Sequence, residues 1–273
     1  MNRIQEKFKE LKSKNEKALV GFVTAGDPTP EISFKIILAM CAAGLDILEL
    51  GVPFSDPTSD GPVIQRSSHR SLQNKTSLTT VLEITHQIRN QTRIPIILFS
   101  YYNPIFTYGC GRFNGGAVNA GADGVLVVDL PPEESDEMTA QWQDSKLNLI
   151  RLVAPTTPPD RMAIIAKNAE GFLYQVSKTG VTGSQGINLK NVNQQVRTLK
   201  SQTNVPICVG FGISTPEQVA SVSSIADGVV VGSAFEQLIE ANIGKPNLPD
   251  LVSNAVSDLK AATRLRMTTQ TTV

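Results

Sequence analysis

The chain has 273 residues, of which 41% are hydrophobic, and its 25 basic residues balance 25 acidic ones. This balance argues against a basic nucleic-acid-binding face, and no apolar stretch approaches the roughly 18 residues of a membrane span. The three cysteines are far apart in the sequence, so we expect reduced thiols in a cytosol-like compartment rather than disulfides.

The first predicted element is an amphipathic helix over residues 1–17, in which Ile4, Phe8 and Leu11 recur at helical spacing. This segment lacks the apolar centre of a signal peptide, and its glutamates are unlike a transit peptide, which is normally poor in acids. We therefore expect a cytoplasmic protein, or a protein of the plastid stroma if the chain is plastid-encoded.

A strand–helix rhythm then repeats eight times along the chain. The apolar, strand-like runs are 18–24, 47–51, 95–101, 124–129, 149–154, 171–177, 206–210 and 228–232. The helical patterns are 30–42, 78–89, 105–119, 132–145, 158–167, 189–200 and 216–223, followed by 234–241 and 250–263. Alternation of this kind predicts parallel strands, and eight units favour a (β/α)8 TIM barrel over an open doubly wound sheet. We expect one domain over residues 1–273, with a flexible tail from about 264.

The second strand carries the strongest candidate site. Glu49 interrupts an otherwise apolar run, and the proline-rich loop that follows could return Asp60 toward the same strand end. Two carboxylates in different settings are suited to moving protons in two directions. Two alternatives remain: a buried ion pair at Glu49 with a simple turn at Asp60, and a metal site that adds Asp56. Asp56 is better explained as a turn former or a surface contact.

Three glycine clusters follow the sixth, seventh and eighth strands, at 178–186, 210–212 and 232–233. Barrels of this kind often bind phosphate after strands seven and eight, at the N-terminus of a short extra helix. The predicted helix 234–241 would be that helix. Alternatively, the glycines only turn tight corners. No dinucleotide-binding or P-loop motif is present.

Aromatic residues also gather near the predicted strand ends, where Phe22, Phe99 and Phe211 could wall an aromatic ligand or simply pack in the core. The residues alone thus support a cofactor-free barrel enzyme with two carboxylates, an apolar pocket and a phosphate cradle. Such a site suits proton-coupled cleavage or isomerisation of a phosphorylated, partly apolar substrate.

One motif carries a family resemblance. Leu-Glu-Leu-Gly-Val-Pro-Phe-Ser-Asp-Pro over residues 48–57, followed by Asp-Gly-Pro-Val-Ile-Gln over residues 60–65, closely resembles the signature of the tryptophan synthase α subunit family. Gly-Val-Thr-Gly at 180–183 and Gly-Phe-Gly at 210–212 strengthen the resemblance, which extends over about residues 22–233. It implies a carbon–carbon lyase of tryptophan biosynthesis that cleaves indole-3-glycerol phosphate to indole and glyceraldehyde 3-phosphate by a retro-aldol reaction without a cofactor.

The resemblance also implies residue roles. Glu49 would be the acid–base residue, and Asp60 would accept the indole N–H. Further residues match the family's substrate-binding positions. For the indole pocket they are Phe22, Phe99, Tyr101, Tyr174 and Phe211; for the phosphate they are Gly183, Gly212, Gly232 and Ser233; and Thr182 matches a loop residue that closes on Asp60.

The resemblance further implies a partner, a β subunit that carries pyridoxal phosphate, in an α2β2 heterotetramer. The matching docking positions are Pro53, Asp56, Pro57, Asn103, Asp129 and Pro131–Pro132. Departures at Thr58–Ser59, Phe99 and Lys178–Thr179 leave the chemistry intact but bear on loop motion and signalling between subunits. Three alternatives remain open: a non-catalytic allosteric subunit, a stand-alone lyase that releases indole, and another sugar-phosphate barrel.

Overall fold

The computed structural model describes residues 2–142, 145–177, 189–210 and 212–264. Within these ranges eight parallel strands close into a barrel, because each strand pairs with its sequence neighbours and the eighth pairs with the first. The strands are β1 (Ala18–Thr24), β2 (Ile47–Gly51), β3 (Ile96–Ser100), β4 (Gly124–Val127), β5 (Asn148–Val153), β6 (Leu173–Val176), β7 (Ile207–Gly210) and β8 (Gly228–Val231). The predicted (β/α)8 barrel is confirmed over the open sheet.

Helices surround the barrel and cover its lower end. They are α1 (Arg3–Ser13), α2 (Pro30–Ala42), α3 (Pro62–Gln73), α4 (Leu78–Arg89), α5 (Tyr102–Tyr108), α6 (Cys110–Ala120), α7 (Ser135–Thr139), α8 (Pro159–Lys167), α9 (Leu189–Lys200), α10 (Pro216–Ser223), α11 (Ser233–Ala241) and α12 (Leu248–Ala262). A short 3-10 helix (Pro132–Glu134) precedes α7. In the described ranges, none of the helices combines the length and apolarity that crossing a membrane requires.

The predicted helices need three corrections. Helix α3 was not predicted, because the residues it buries are serines (Ser67, Ser68 and Ser71), which leave no apolar stripe in the sequence. The predicted helix 105–119 is two helices, α5 and α6, separated at Gly109, whose φ of 98° is not helical. The predicted helix 132–145 shortens to the 3-10 turn and the five residues of α7.

Side chains alternate between the two sides of the barrel wall. On β2, Leu48 and Leu50 pack outward in the large cluster between strands and helices, whereas Ile47 belongs to the cluster inside the barrel. Glu49 has the same inward parity as Ile47, because successive strand residues point to opposite faces. The interior cluster also contains Val20, Ile97, Leu126, Ile150, Tyr174, Cys208 and Val230.

Helix α1 closes the lower end of the barrel, which is the end where the strands begin. Ile4, Phe8 and Leu11 are buried, as the sequence pattern predicted, and Phe8 packs on Phe172 with 6.2 Å between ring centroids. The helix ends earlier than predicted, at Ser13 rather than residue 17. In the part of the chain that the structure describes, α1 thus covers the N-terminal ends of the strands and leaves their C-terminal ends to the loops that follow them.

A charged cluster ties both ends of the chain to the barrel. Lys260 on α12 contacts Asp46 at 2.8 Å and Glu16 at 3.0 Å, and Asp46 also accepts the N–H of Leu19 at 2.8 Å. Lys260 and Asp46 are both buried. We refer to Lys260, Asp46 and Glu16 as the terminal clasp.

Candidate active site

Glu49 stands inside the barrel in a desolvated position. Its residue is 1% exposed, and no donor in the described ranges reaches its Oε1 atom. Burial therefore raises the pKa of the Glu49 carboxyl to about 8, since removal from water penalises the charged form. At neutral pH Glu49 is a neutral acid that can donate a proton. The predicted alternative, an ion pair with a lysine, does not occur among the described residues.

Asp60 lies in the loop between β2 and α3 and is also largely buried. Burial raises its pKa to about 6, and a hydrogen bond from the Tyr101 hydroxyl opposes that rise. The same hydroxyl accepts the N–H of Ser59 at 2.9 Å, so Tyr101 holds this part of the loop against the end of β3. Asp60 is thus mostly ionised at neutral pH and becomes protonated as the pH falls through about 6.

The two carboxyls therefore differ in charge between about pH 6 and pH 8. Both influence Tyr174 on β6, whose pKa is raised by burial first and then by its electrostatic interactions with Glu49, Cys208 and Asp60, in that order. An acid and a base that act on one interior space are the arrangement that proton transfer in two directions requires. Within the described residues, Glu49, Asp56 and Asp60 do not form a metal-binding group, and Asp56 is exposed and bonded to Ser55.

Aromatic side chains line the same end of the barrel. Phe22 and Phe99 meet edge to face with 5.1 Å between centroids, and Phe54 packs on Tyr101 at 5.1 Å. A cavity of about 490 Å³ opens beside Asp60 and Phe99 and continues along Val128, Leu152 and Val176. Asp60 shares the lining of this cavity with three other charged residues, Asp129, Arg151 and Arg161. The apolar part of its wall suits a small aromatic ligand.

The structure describes part of the predicted phosphate site, namely Gly212, Gly232 and Ser233. Gly232 follows β8, and Ser233 begins α11, so the first N–H groups of this helix have no partner within the helix. Gly212 follows β7 with a φ of 74°, a conformation that favours glycine. The predicted short helix after strand eight is confirmed. Thr182, Gly183 and Phe211 lie outside the described residues, as do Lys178 and Thr179 and the tail from 265.

One cluster beside this helix was not predicted. Glu236 on α11 is buried next to Asp27, whose carboxylate binds the guanidinium of Arg70 through two contacts of 2.7 Å. Glu236 does not stand out in the sequence, because a glutamate in the first turn of a helix usually faces solvent. Its only signal is its place between Phe235 and Ile239 on the buried face of the helix.

The fold and the site define a (β/α)8 barrel with two buried carboxyls, Glu49 and Asp60, on β2 and in the loop that follows it. The family model described as tryptophan synthase alpha chain matches residues 8–264. The chain belongs to the tryptophan synthase alpha chain family.

Individual relatives agree with this assignment. The chain is 58% identical to the tryptophan synthase alpha chain of Desulfosudis oleivorans over 97% of its own length and the whole of that protein, and 59% identical to that of Desulfatibacillum aliphaticivorans with the same coverage. The crystal structure of tryptophan synthase subunit alpha from Legionella pneumophila superposes with a TM-score of 0.88 at 40% identity, covering 96% of this chain and 98% of that one. The family predicted from the motif is confirmed, and with it the lyase class.

Proposed function

We propose that the chain cleaves indole-3-glycerol phosphate to indole and glyceraldehyde 3-phosphate, with Glu49 and Asp60 as its catalytic residues. The observation that carries the proposal is the pair of buried carboxyls in one barrel, of which Glu49 has no donor at Oε1 in the described ranges and Asp60 lies against the Tyr101 hydroxyl. These surroundings favour different protonation states for the two groups. Glu49 is neutral because it is desolvated, and Asp60 is ionised because it is less buried and accepts a hydrogen bond from Tyr101. The reaction needs both states at once.

Glu49 performs two proton transfers in this mechanism. It first gives its proton to C3 of the indole ring, which makes the ring an electron acceptor. The resulting Glu49 carboxylate then takes the proton of the hydroxyl on the adjacent side-chain carbon. As that hydroxyl becomes a carbonyl, the carbon–carbon bond breaks and its electron pair returns to the ring. Glu49 thus ends the cycle protonated, and each transfer supplies roughly 10²–10⁴-fold in rate.

Asp60 stabilises the intermediate. Protonation at C3 places positive charge on the indole nitrogen, and the ionised Asp60 accepts the N–H bond where that charge develops. Tyr101 keeps Asp60 charged, because its hydroxyl donates to the ionised form and lowers the pKa of the carboxyl. A preorganised charge at the edge of an apolar cavity acts with less screening than it would in water.

The remaining predicted residues are proposed as binding groups. Phe22, Phe99, Tyr101 and Tyr174 would contact the indole ring together with Phe211, and the Phe22–Phe99 pair already provides one wall. The phosphate would lie against Gly212, Gly232 and Ser233 at the start of α11, with Gly183 completing the cradle. Thr182 is proposed to close on Asp60. These assignments come from the family motif.

We further propose that a β subunit that carries pyridoxal phosphate docks on the loops around the open end, in an α2β2 assembly. The docking residues would be Pro53, Asp56, Pro57, Asn103, Asp129 and Pro131–Pro132. Phe106 supports this face, since it is 60% exposed on α5 one turn after Asn103. The chain itself is proposed to need no cofactor. A cytoplasmic or plastid location stays a prediction.

The test is indole release from indole-3-glycerol phosphate by the purified chain, with and without a β subunit. Wild-type chain should release indole slowly, β should accelerate release, and Glu49→Gln and Asp60→Asn should each lower the rate by at least 100-fold. Absence of release from folded wild-type chain with β would contradict the proposal and favour an allosteric or sugar-phosphate role. High turnover that β does not change would indicate a stand-alone lyase.

A further inference from the structure

Glu236 is a buried carboxyl that the mechanism above does not use. It lies in the first turn of α11, is 0% exposed, and accepts the backbone N–H of Thr24 through Oε1 at 2.6 Å. Thr24 is the last residue of β1, so this bond joins the helix directly to a barrel strand. The second oxygen, Oε2, is buried, and no N–H or hydroxyl donor in the described ranges reaches it.

The carboxyl of Asp27 lies within hydrogen-bonding reach of the Glu236 carboxyl. The Arg70 guanidinium binds both oxygens of Asp27 at 2.7 Å. Arg70 also contacts Glu240 at 2.7 Å, and Glu240 in turn binds Arg66 at 2.7 Å. These are the charged groups that face Glu236 from the β1 loop, α3 and α11. Two guanidiniums balance two carboxylates in this cluster, so it has no positive charge left for a third carboxylate.

Only one protonation state of Glu236 satisfies this environment. As a carboxylate, Glu236 would leave Oε2 without a donor and would place a second negative charge against Asp27. As a carboxylic acid, it donates its O–H to Asp27 while Oε1 still accepts from Thr24. Burial, followed by the charge of Asp27, accordingly raises the pKa of Glu236 far above its usual value.

We propose that Glu236 is a positioning residue which, as a neutral acid, fixes α11 against the end of β1 and keeps negative charge away from the phosphate site. This inference rests on the proposed function, because it takes the N-terminus of α11 as the phosphate site. Ser233 begins the helix three residues before Glu236, and a Cβ at Gly232 would lie 3.3 Å from that of Phe22 on β1. A shift of α11 along β1 would therefore move the phosphate donors relative to the indole wall.

The first experiment measures binding of glycerol 3-phosphate by calorimetry at pH 7.5. Glu236→Gln keeps an acceptor for Thr24 and a donor for Asp27, so its affinity should stay within twofold of wild type. Glu236→Leu keeps the approximate size but neither hydrogen bond, and should bind roughly tenfold more weakly. With indole-3-glycerol phosphate, Glu236→Leu should raise KM while kcat changes by less than threefold, because the catalytic carboxyls are untouched.

Ser233→Asp separates this inference from the proposed function. An acidic first residue suits a helix but repels phosphate, so the variant should bind glycerol 3-phosphate at least tenfold more weakly. Unchanged binding by Ser233→Asp would overturn the phosphate site itself. Weak binding by Ser233→Asp together with unchanged binding by Glu236→Leu would overturn the positioning role alone, as would an equal loss in Glu236→Gln and Glu236→Leu.

A second experiment tests the protonation state and needs only the conservative variant. Above about pH 4.3 the unfolded wild-type chain releases a proton from Glu236 that the folded chain retains, so wild-type stability falls relative to Glu236→Gln as pH rises. The ratio of the wild-type unfolding equilibrium constant to that of Glu236→Gln should therefore grow by up to tenfold per pH unit between pH 5 and 7.5. A constant difference across this range would show that Glu236 is ionised in the fold.

Discussion

Glu49 and Asp60 are chemically similar groups that the fold places in different surroundings. Glu49 has lost its contact with water without gaining a charged partner, whereas Asp60 keeps the Tyr101 hydroxyl as a donor. The consequence is a neutral acid and an ionised base at one pH. This difference depends on the side-chain environment rather than on residue type.

The pH profile of the isolated chain follows from these values. Activity requires ionised Asp60 and protonated Glu49, so kcat/KM should rise as pH increases through about 6 and fall as it increases through about 8. Rates measured from pH 5 to pH 9.5 check this expectation. Glu6→Gln on the exposed face of α1 should leave the profile unchanged. A profile that keeps rising above pH 9 would contradict the role of Glu49 as the acid.

Tyr101→Phe tests the hydrogen bond that keeps Asp60 charged. Loss of the hydroxyl removes a group that lowers the pKa of Asp60, so this pKa should rise and the acidic limb should move to higher pH. We expect kcat/KM to fall about threefold at pH 6 and to change little at pH 7.5. The substitution also removes the hydrogen bond from the Ser59 N–H, whose loss should have the same effect at every pH. Tyr102→Phe is the matched control, since its hydroxyl contacts Cys110 instead. An acidic limb that does not move would exclude this role for Tyr101.

At the scale of elements, the barrel depends on contacts between segments that are distant in sequence. The terminal clasp joins α12, the segment after α1 and the loop before β2, and α1 plugs the lower end with Ile4 and Phe8. Helices α1 and α12 therefore hold the side of the barrel opposite the site. This leaves the C-terminal strand ends to the loops that carry the chemistry.

Lys260→Met should destabilise the fold through the terminal clasp. The substitution keeps the apolar stem of the side chain but leaves Asp46 buried without its cation, for which we expect a loss of about 3–5 kcal/mol in the free energy of unfolding. Urea unfolding at pH 7 measures this difference. Lys35→Met removes an exposed ion pair with Glu31 on α2 and should leave the midpoint unchanged. Equal changes in the free energy of unfolding for the two variants would show that the buried terminal clasp stabilises the fold no more than an exposed ion pair does.

For the whole molecule, the sequence predicts what repeats and misses what depends on packing. Eight apolar runs predict the barrel because parallel strands covered on both faces must be continuous hydrophobes. Helix α3 is missed because its buried face consists of serines, so the sequence shows no apolar stripe there. Their hydroxyls form hydrogen bonds with Thr24, Ile64 and Ala25. Glu49 and Asp60 are found because a carboxylate stands out in an apolar strand and in a proline-rich loop. Glu236 cannot be found this way, because only the meeting of α11 with Asp27 makes it unusual.

The exposed side of the open end gives a prediction about assembly. Phe106 is the most exposed of the large apolar side chains in the described ranges and lies on the proposed docking face, and aromatic residues buried on assembly often contribute much of the binding energy. Phe106→Ser should therefore weaken binding of the β subunit by tenfold or more in a titration of indole release, while the rate without β stays within twofold. Ile243→Ser is the matched control, since Ile243 is 45% exposed just after α11, toward the closed end of the barrel. Docking on this face would bury Phe106, so its loss should weaken binding. Equal titration curves for the two variants and wild type would therefore place the β subunit elsewhere on the surface.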